Sequence, residues 1–316
     1  MSDYHVIFGT GPLAQATMRA LLKRDKKIRM INRSGKRHES IPVEVEILSG
    51  DAYDIEFTTS VTKDAVCVYQ CAQPSYHEWV EKFPPLQQAI LEGTATNQAK
   101  FIVAENLYMY GDTDGKLLHE ELPYSAQTRK GKVRGEMSSA LIEAHKAGRI
   151  RMAIARGSDF FGPGVLTSAL GERTLGPLLK GKGAEVTGAL DVPHTYTYIS
   201  DFGEAMAILG ERDEAQGQAW HVPNAPALTQ RDLITRFFKE AGLPLKFSVI
   251  GKMMLRIGGI FVPEAREMIE MMYEFEKPFV VDASKFIKTF GDISTPYEES
   301  VPETVNWFRE YLQGNN

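Results

Sequence analysis

Three small residues, Gly9, Gly11 and Ala14, stand at a spacing that holds phosphate when the right elements flank them. The chemistry is electrostatic. A glycine turn brings backbone N–H groups close to a pyrophosphate, and the helix that follows points its unpaired N–H groups at the same charge. Gly9 would permit the tight turn, Gly11 the close approach of backbone to phosphate, and Ala14 the close packing of helix on strand. Pro12 and Leu13 open the helix. The flanks agree: Val6–Phe8 is a short apolar run, Leu13–Arg24 favours helix, and Ile28–Ile31 is a second apolar run. Strand, glycine turn, helix and strand within one βαβ length predict a dinucleotide site.

The end of the second strand bears on which dinucleotide. A site for NAD usually carries Asp or Glu there, to hold the ribose 2′-hydroxyl. Asn32 stands there instead, followed by Arg33, Ser34, Lys36 and Arg37. A carboxylate would repel a 2′-phosphate, whereas guanidinium groups bind one with charge-assisted hydrogen bonds. The expected cofactor is NADP(H) in preference to NAD(H), with Asn32, Arg33, Ser34 and Arg37 around the 2′-phosphate.

The elements that must position these residues follow in order. Val43–Leu48 reads as a third strand ending at Asp51-Ala52, and Ala65–Gln70 as a fourth ending at Cys71-Ala72. Tyr76 to Pro84-Pro85 reads as a connection, with a helix starting at Leu86. Lys100–Ala104 is a fifth strand, Val133, Met137, Leu141 and Ala144 recur at helical spacing, and Arg149–Ala155 is a sixth strand. Alternation of this kind calls for an α/β fold, a Rossmann-type doubly wound parallel sheet. Ligands on such sheets sit at the carboxyl ends of strands, so Asp51, Ala52, Cys71 and Ala72 join the glycine turn as expected cofactor contacts. Beyond Gly164 short segments punctuated by glycine suggest a smaller α/β lobe. The expected division is 1–165, completed by later segments at about 190–225, and 166–316 for substrate. In the second part His194–Ile199 alternates like a strand, and Thr229 resembles a helix start. Methionines between Lys252 and Tyr273 read as core filling or as an adaptable pocket wall.

Composition narrows the class. The chain has 316 residues, 43% hydrophobic and 24% charged, as in an ordinary globular protein. A net charge of −5 argues against a nucleic-acid partner, and no apolar run is long enough to span a bilayer. The first residues enter a strand directly, without the pattern of a signal peptide. Cys67 and Cys71, four apart on one strand, are too distant to bridge and too few for zinc, so no metal is expected. Both are expected to be reduced, in a cytoplasmic protein.

Several segments come in a telling order: the glycine turn, Leu107-Tyr108-Met109-Tyr110-Gly111, Arg156-Gly157-Ser158-Asp159-Phe160-Phe161-Gly162-Pro163-Gly164, and Tyr198-Ile199-Ser200-Asp201-Phe202-Gly203. Ala219-Trp220-His221-Val222-Pro223-Asn224 and Val301-Pro302-Glu303-Thr304-Val305 continue it. Together they resemble the extended short-chain dehydrogenase/reductases, the NAD-dependent epimerase/dehydratases, over nearly the whole chain. The resemblance implies a Ser or Thr five residues before Gly111, where Asn106 stands. It also implies Tyr-x-x-x-Lys on the next helix, where Lys130 takes the place of Tyr and Arg134 that of Lys. The spacing survives while the chemical groups change. Arg134 would hold ribose hydroxyls, Lys130 would contact cofactor or exchange a proton if its pKa were lowered, and Tyr108 would donate a proton to a carbonyl. Asn106 would orient that carbonyl oxygen.

Two further departures concern substrate. Asp159 and His194 stand where the resemblance implies an Asn near the nucleotide phosphates and an Arg on the diphosphate; with Tyr76 they are the expected substrate contacts. A carboxylate added and a guanidinium lost favour a smaller, less charged small molecule. Helix Val133–Ala147, with Ser138, Ser139, Ala140 and Ala144, suits the homodimer contact that the resemblance implies. The leading expectation is an NADP(H)-dependent oxidoreductase acting on a carbonyl or hydroxyl compound. The alternatives are a non-catalytic redox sensor that binds NADP(H), and a sugar-nucleotide epimerase or dehydratase.

Overall fold

A computed structural model describes residues 3–251, 254 and 269–314. Seven parallel strands form the main sheet: β1 (Tyr4–Phe8), β2 (Lys27–Asn32), β3 (Glu46–Ser49), β4 (Ala65–Gln70), β5 (Lys100–Glu105), β6 (Arg151–Arg156) and β11 (Gln218–His221). Their order is β11-β6-β5-β4-β1-β2-β3. Strand order therefore reverses between β1 and β4, and the first glycine turn leaves the sheet at that crevice. This is the α/β Rossmann-type architecture expected from the alternating pattern.

Helices α1 (Pro12–Leu22), α2 (Ile55–Val61), α3 (Trp79–Thr96) and α4 (Arg129–Lys146) connect the strands. One core joins Phe8, Val68, Phe101, Val103, Met152 and Ile154 of the sheet to Phe83, Leu86 and Ile90 of α3 and to Val133, Met137 and Leu141 of α4. A further helix, α6 (Ile199–Glu211), approaches α1 through Gly203, where a Cβ would lie 2.4 Å from the carbonyl carbon of Ala16.

The chain divides into two compact units. Unit 1 comprises Met1–Met109, Arg129–Gly157 and Phe202–Val222; unit 2 comprises Tyr110–Thr128, Ser158–Asp201 and Pro223–Asn316. Unit 2 has its own core, built by Leu175 and Leu178 of α5 (Glu172–Leu179), Leu233 and Phe237 of α7 (Gln230–Ala241), and Val301, Val305 and Phe308 of the C-terminal helix Tyr297–Gly314. Within it β8 (Ala184–Thr187) pairs in parallel with β13 (Phe247–Ile250). Thr229 caps α7 by accepting the Asp232 N–H at 3.1 Å, as its sequence indicates.

Three local expectations are corrected. The third strand is confined to Glu46–Ser49, and Val43 is 87% exposed. Helix α3 starts at Trp79 and runs through Pro84 and Pro85. Each proline removes one backbone donor, but Trp79, Phe83, Leu86 and Ile90 recur on one face, and their burial outweighs the loss. His194–Ile199 is not one strand: β9 (Pro193–His194) pairs with β12 (Leu228–Thr229), β10 (Thr197–Tyr198) pairs with β7 (Phe160–Phe161), and Ile199 begins α6. Of the methionines, Met271 and Met272 are buried and Met254 is exposed, while Met253 and Met268 lie outside the described residues.

Candidate functional site

The glycine turn sits where four strand ends are tied together. Gly9 donates to the Ile31 carbonyl at 2.9 Å, Cys71 to Phe8 at 3.0 Å, and Gly50 to Asn32 at 3.1 Å. Gly9 adopts φ +112°, and a Cβ there would stand 3.1 Å from the Ala72 nitrogen, so Ala72 and Gly9 require each other's small backbone profile. Gly11 has open space on its Cβ side and serves as the N-cap of α1, with Pro12 in the first turn and no acidic residue there. Leu13 is half-buried and Ala14 is buried against the sheet. A helix N-terminus free of carboxylates, fronted by an unobstructed glycine, has the geometry and the charge that a pyrophosphate needs.

The remaining expected cofactor contacts surround this turn. Asp51 is exposed and accepts the Tyr53 N–H at 3.0 Å, while Ala52 packs against the core. Cys71 lies 3.8 Å from the Thr17 hydroxyl, and burial pushes its thiol up to about 12, which makes it a poor nucleophile. Asn32 organises the loop after β2. It accepts from Gly35 N at 2.6 Å and from the Ser34 hydroxyl at 3.3 Å, and donates to the Lys36 carbonyl at 2.9 Å. Arg37 donates to the carbonyls of Pro42 (2.5 Å) and Val45 (2.8 Å), so its guanidinium braces the loop. Arg33, Ser34 and Lys36 are exposed beside it.

The expected catalytic residues also cluster within unit 1. Lys130 is 1% exposed, and its Nζ stands 4.4 Å from the centre of the Tyr76 ring, a cation–π contact. The Tyr76 hydroxyl donates to that of Tyr108 at 3.4 Å, and the Tyr108 ring packs 6.0 Å from Trp79. Asn106 accepts the Tyr108 N–H at 3.3 Å, which fixes the backbone that carries Tyr108. Arg134 is buried, over the Phe83 ring at 4.5 Å and 3.5 Å from Glu105. Burial lowers its pKa, Glu105 opposes that shift, and Arg156 adds to it.

Sequence reasoning missed the group that holds this region. Glu105 and Arg156 close β5 and β6 and stand in register. Arg156 Nε donates to Glu105 at 3.1 Å, the Ser138 hydroxyl donates to the same oxygen at 3.1 Å, and Arg156 Nη2 donates to Ser138 at 2.6 Å. Both charged side chains are fully buried. The available signal was a charged residue ending each of two apolar strands.

In unit 2, Asp159 and His194 meet: His194 Nε2 lies 2.8 Å from Asp159 Oδ2. His194 Nδ1 lies 3.1 Å from the backbone carbonyl oxygen of Glu274. Tyr196 packs 4.7 Å from the imidazole, and Phe275 and Phe279 stack on it at 5.2 Å each. Burial raises the Glu274 carboxyl well above the ordinary range, with Asp159 adding to the shift. Among the described residues no group of His, Cys, Asp and Glu is arranged to hold a metal, and no helix is long and apolar enough to cross a membrane.

The sequence pattern of the NAD dependent epimerase/dehydratase family matches residues 6–222. A search of curated proteins returns no match. Among solved structures the fold is similar to the UDP-glucose 4-epimerase of Thermus thermophilus in complex with NAD, with TM-score 0.77 and 16% identity over 97% of this chain and 99% of that one. It is also similar to the dTDP-glucose 4,6-dehydratase of Bacillus anthracis in complex with NAD, at TM-score 0.82 and 13% identity over 98% of each chain. The UDP-glucuronic acid 4-epimerase of Bacillus cereus in complex with NAD gives TM-score 0.79 and 17% identity, again over 98% of each chain. With more than half of its length matched in sequence, and the same seven-stranded doubly wound sheet, the chain belongs to the NAD-dependent epimerase/dehydratase family.

Proposed function

We propose that this chain is a nicotinamide-dinucleotide-dependent enzyme of the epimerase/dehydratase type, acting on a hydroxyl- or carbonyl-bearing small molecule. The observation that carries the reading is the cradle at the β1–α1 turn, with Gly9 at φ +112° against Ala72 and open space beside Gly11 at an acid-free helix N-terminus. Residues 9–14 would hold the pyrophosphate. When bound, the nicotinamide ring supplies a hydride acceptor and donor. Family membership favours a reaction that returns the hydride to the same molecule over the net oxidoreduction that the substituted residues suggest.

This chain's own contribution is to hold and move a proton. Tyr108 is the acid/base in this reading: its backbone is fixed by Asn106, its hydroxyl is joined to Tyr76, and Arg134 is electrostatically coupled to it. A nearby cation stabilises a phenolate, which is how a phenol becomes useful near neutral pH. Lys130, held over the Tyr76 ring, adds a second positive charge on the same side. Arg134 acts as a positioning residue, because its guanidinium is directed at Glu105 and Phe83.

Preference for NADP(H) over NAD(H) belongs to the same reading. No carboxylate occurs from Asn32 to Arg37, and Arg33 and Lys36 are exposed beside the turn. With Arg37 bonded to carbonyls, Arg33 is the residue assigned to the 2′-phosphate, and Arg33→Ala would weaken NADPH binding about tenfold, roughly 1.4 kcal/mol, with little effect on NADH. Fluorescence titration with both cofactors checks this, and tighter binding of NADH by the parent would refute the preference. Tyr108→Phe would lower kcat about 10²–10⁴-fold without changing cofactor affinity. Product analysis against a panel of hydroxy compounds, with reduced-nicotinamide absorbance followed alongside, separates internal return of hydride from net oxidoreduction. If Tyr108→Phe and Lys130→Met both turn over like the parent, the acid/base lies elsewhere.

A further inference from the structure

The hydrogen bonds of His194 determine where its protons are. A backbone carbonyl only accepts, so Nδ1, which faces the Glu274 carbonyl oxygen at 3.1 Å, carries a proton. Nε2 then faces Asp159 Oδ2 at 2.8 Å, and a contact that short between a ring nitrogen and a carboxyl oxygen requires one proton between them. Whether that proton is drawn on nitrogen or on oxygen, the pair holds two protons and has no net charge. The imidazole is also 1% exposed and stacked between Phe275 and Phe279, so solvent does not exchange easily with its ring nitrogens. Asp159 differs: its side chain is 20% exposed.

The groups around this pair are of one kind. The Tyr196 hydroxyl, the Ser158 hydroxyl and one carboxyl oxygen of Glu274 are buried without a hydrogen-bond partner among the described residues. The three side chains are 1%, 5% and 2% exposed. Among the described residues, the charged and titratable groups that act on Glu274 and Tyr196 are Asp159, Tyr273 and Tyr297, with no lysine or arginine among them. Hydroxyls and neutral carboxyls can both donate and accept, which suits another hydroxyl. A phosphate needs cations or clustered N–H donors, and these groups supply neither.

We infer that Asp159 and His194 form a neutral, shared-proton dyad whose partly exposed carboxyl accepts a hydroxyl of an uncharged polyhydroxy substrate, in a part of unit 2 that does not bind phosphate. This names the substrate class and rests on the proposed enzymatic reading. The dyad is a specificity device. His194 holds Asp159 in one orientation and neutralises it, so that the carboxyl oxygen is placed for a hydroxyl and its charge does not have to be desolvated alone.

The test uses the full chain loaded with NADPH. Nitrogen-15 spectra of the imidazoles, with His194 assigned by its loss in His194→Gln, should show Nδ1 protonated and Nε2 in a strong hydrogen bond. Asp159→Asn should return Nε2 to the signal of an ordinary neutral imidazole while NADPH affinity stays within twofold. Millimolar UDP should leave the melting temperature unchanged, and Asp159→Asn should raise KM for aldoses and polyols at least tenfold with a smaller change in kcat. A free lone pair on His194 Nε2 in the parent, or a clear stabilisation by UDP, overturns the inference. Failure of the chain to bind any nicotinamide dinucleotide would instead remove the proposed function, and the imidazole spectra would still report on the dyad.

Discussion

Glu105 in unit 1 and Asp159 in unit 2 each stand beside a basic side chain, but their surroundings differ. Glu105 is fully buried, meets two guanidinium groups and a serine hydroxyl, and has no exposed edge. Asp159 meets one imidazole and keeps part of its carboxyl exposed. The Glu105 arrangement is suited to fixing the ends of β5 and β6, the first of which leads on to Asn106 and Tyr108. The second is suited to meeting a ligand. A charge sealed from solvent is structural, and one on a partly exposed side chain is available for recognition.

The largest effect that could break this contrast is at Glu105. Glu105→Gln removes the carboxylate charge that both guanidinium groups meet and is expected to cost about 3–5 kcal/mol in urea unfolding. Asp159→Asn, at a partly exposed and neutral pair, is expected to cost under about 1 kcal/mol. Equal losses would remove the distinction.

Next is acid sensitivity, which sharpens the difference between the units. Burial, with Lys26 adding to it, lowers the His5 pKa from 6.5 to about 4. The unfolded chain therefore takes up a proton that the folded chain resists. The stability from neutral His5 is complete above pH 6.5 and is lost as pH falls from 6.5 towards 4, by about 2–3 kcal/mol. His5→Gln should flatten that part of the stability profile, and an unchanged profile would show that His5 is protonated in place.

A smaller loss is expected at the glycine turn. Gly9→Ala puts a side chain at φ +112° and against Ala72, and should cost about 1–2 kcal/mol together with a large fall in dinucleotide affinity, read by calorimetry. The smallest is Thr229→Ala in unit 2, which removes the α7 cap and should cost about 1 kcal/mol in the same unfolding assay.

The sequence made the fold legible where patterning is local. The βαβ opening, the parallel alternation and the Thr229 cap all depend on residues within one or two turns of each other. Helix α2 escaped notice because it has only seven residues, although Asp54, which accepts the Glu56 N–H at 2.9 Å, is an ordinary capping signal. The start of α3 was hidden by Pro84 and Pro85, whose local preference is overruled by packing. The candidate site was legible in its members and not in their partners. Lys130 and Arg134 stood out as a helical pair, but nothing nearby in sequence shows that Arg134 meets Glu105 or that Lys130 covers Tyr76. Those pairings are made by strand register and helix packing, across 29 and 54 positions respectively.

The contact between Gly203 and Ala16 reaches further than its size suggests. Helix α1 is pressed onto α6 with no room for one methyl group, so the angle at which α1 leaves its glycine turn is set partly by a residue nearly two hundred positions downstream. A bulkier side chain at 203 would tilt the first helix and turn its amide hydrogens off target. The protein would then lose its grip on a dinucleotide that position 203 never touches.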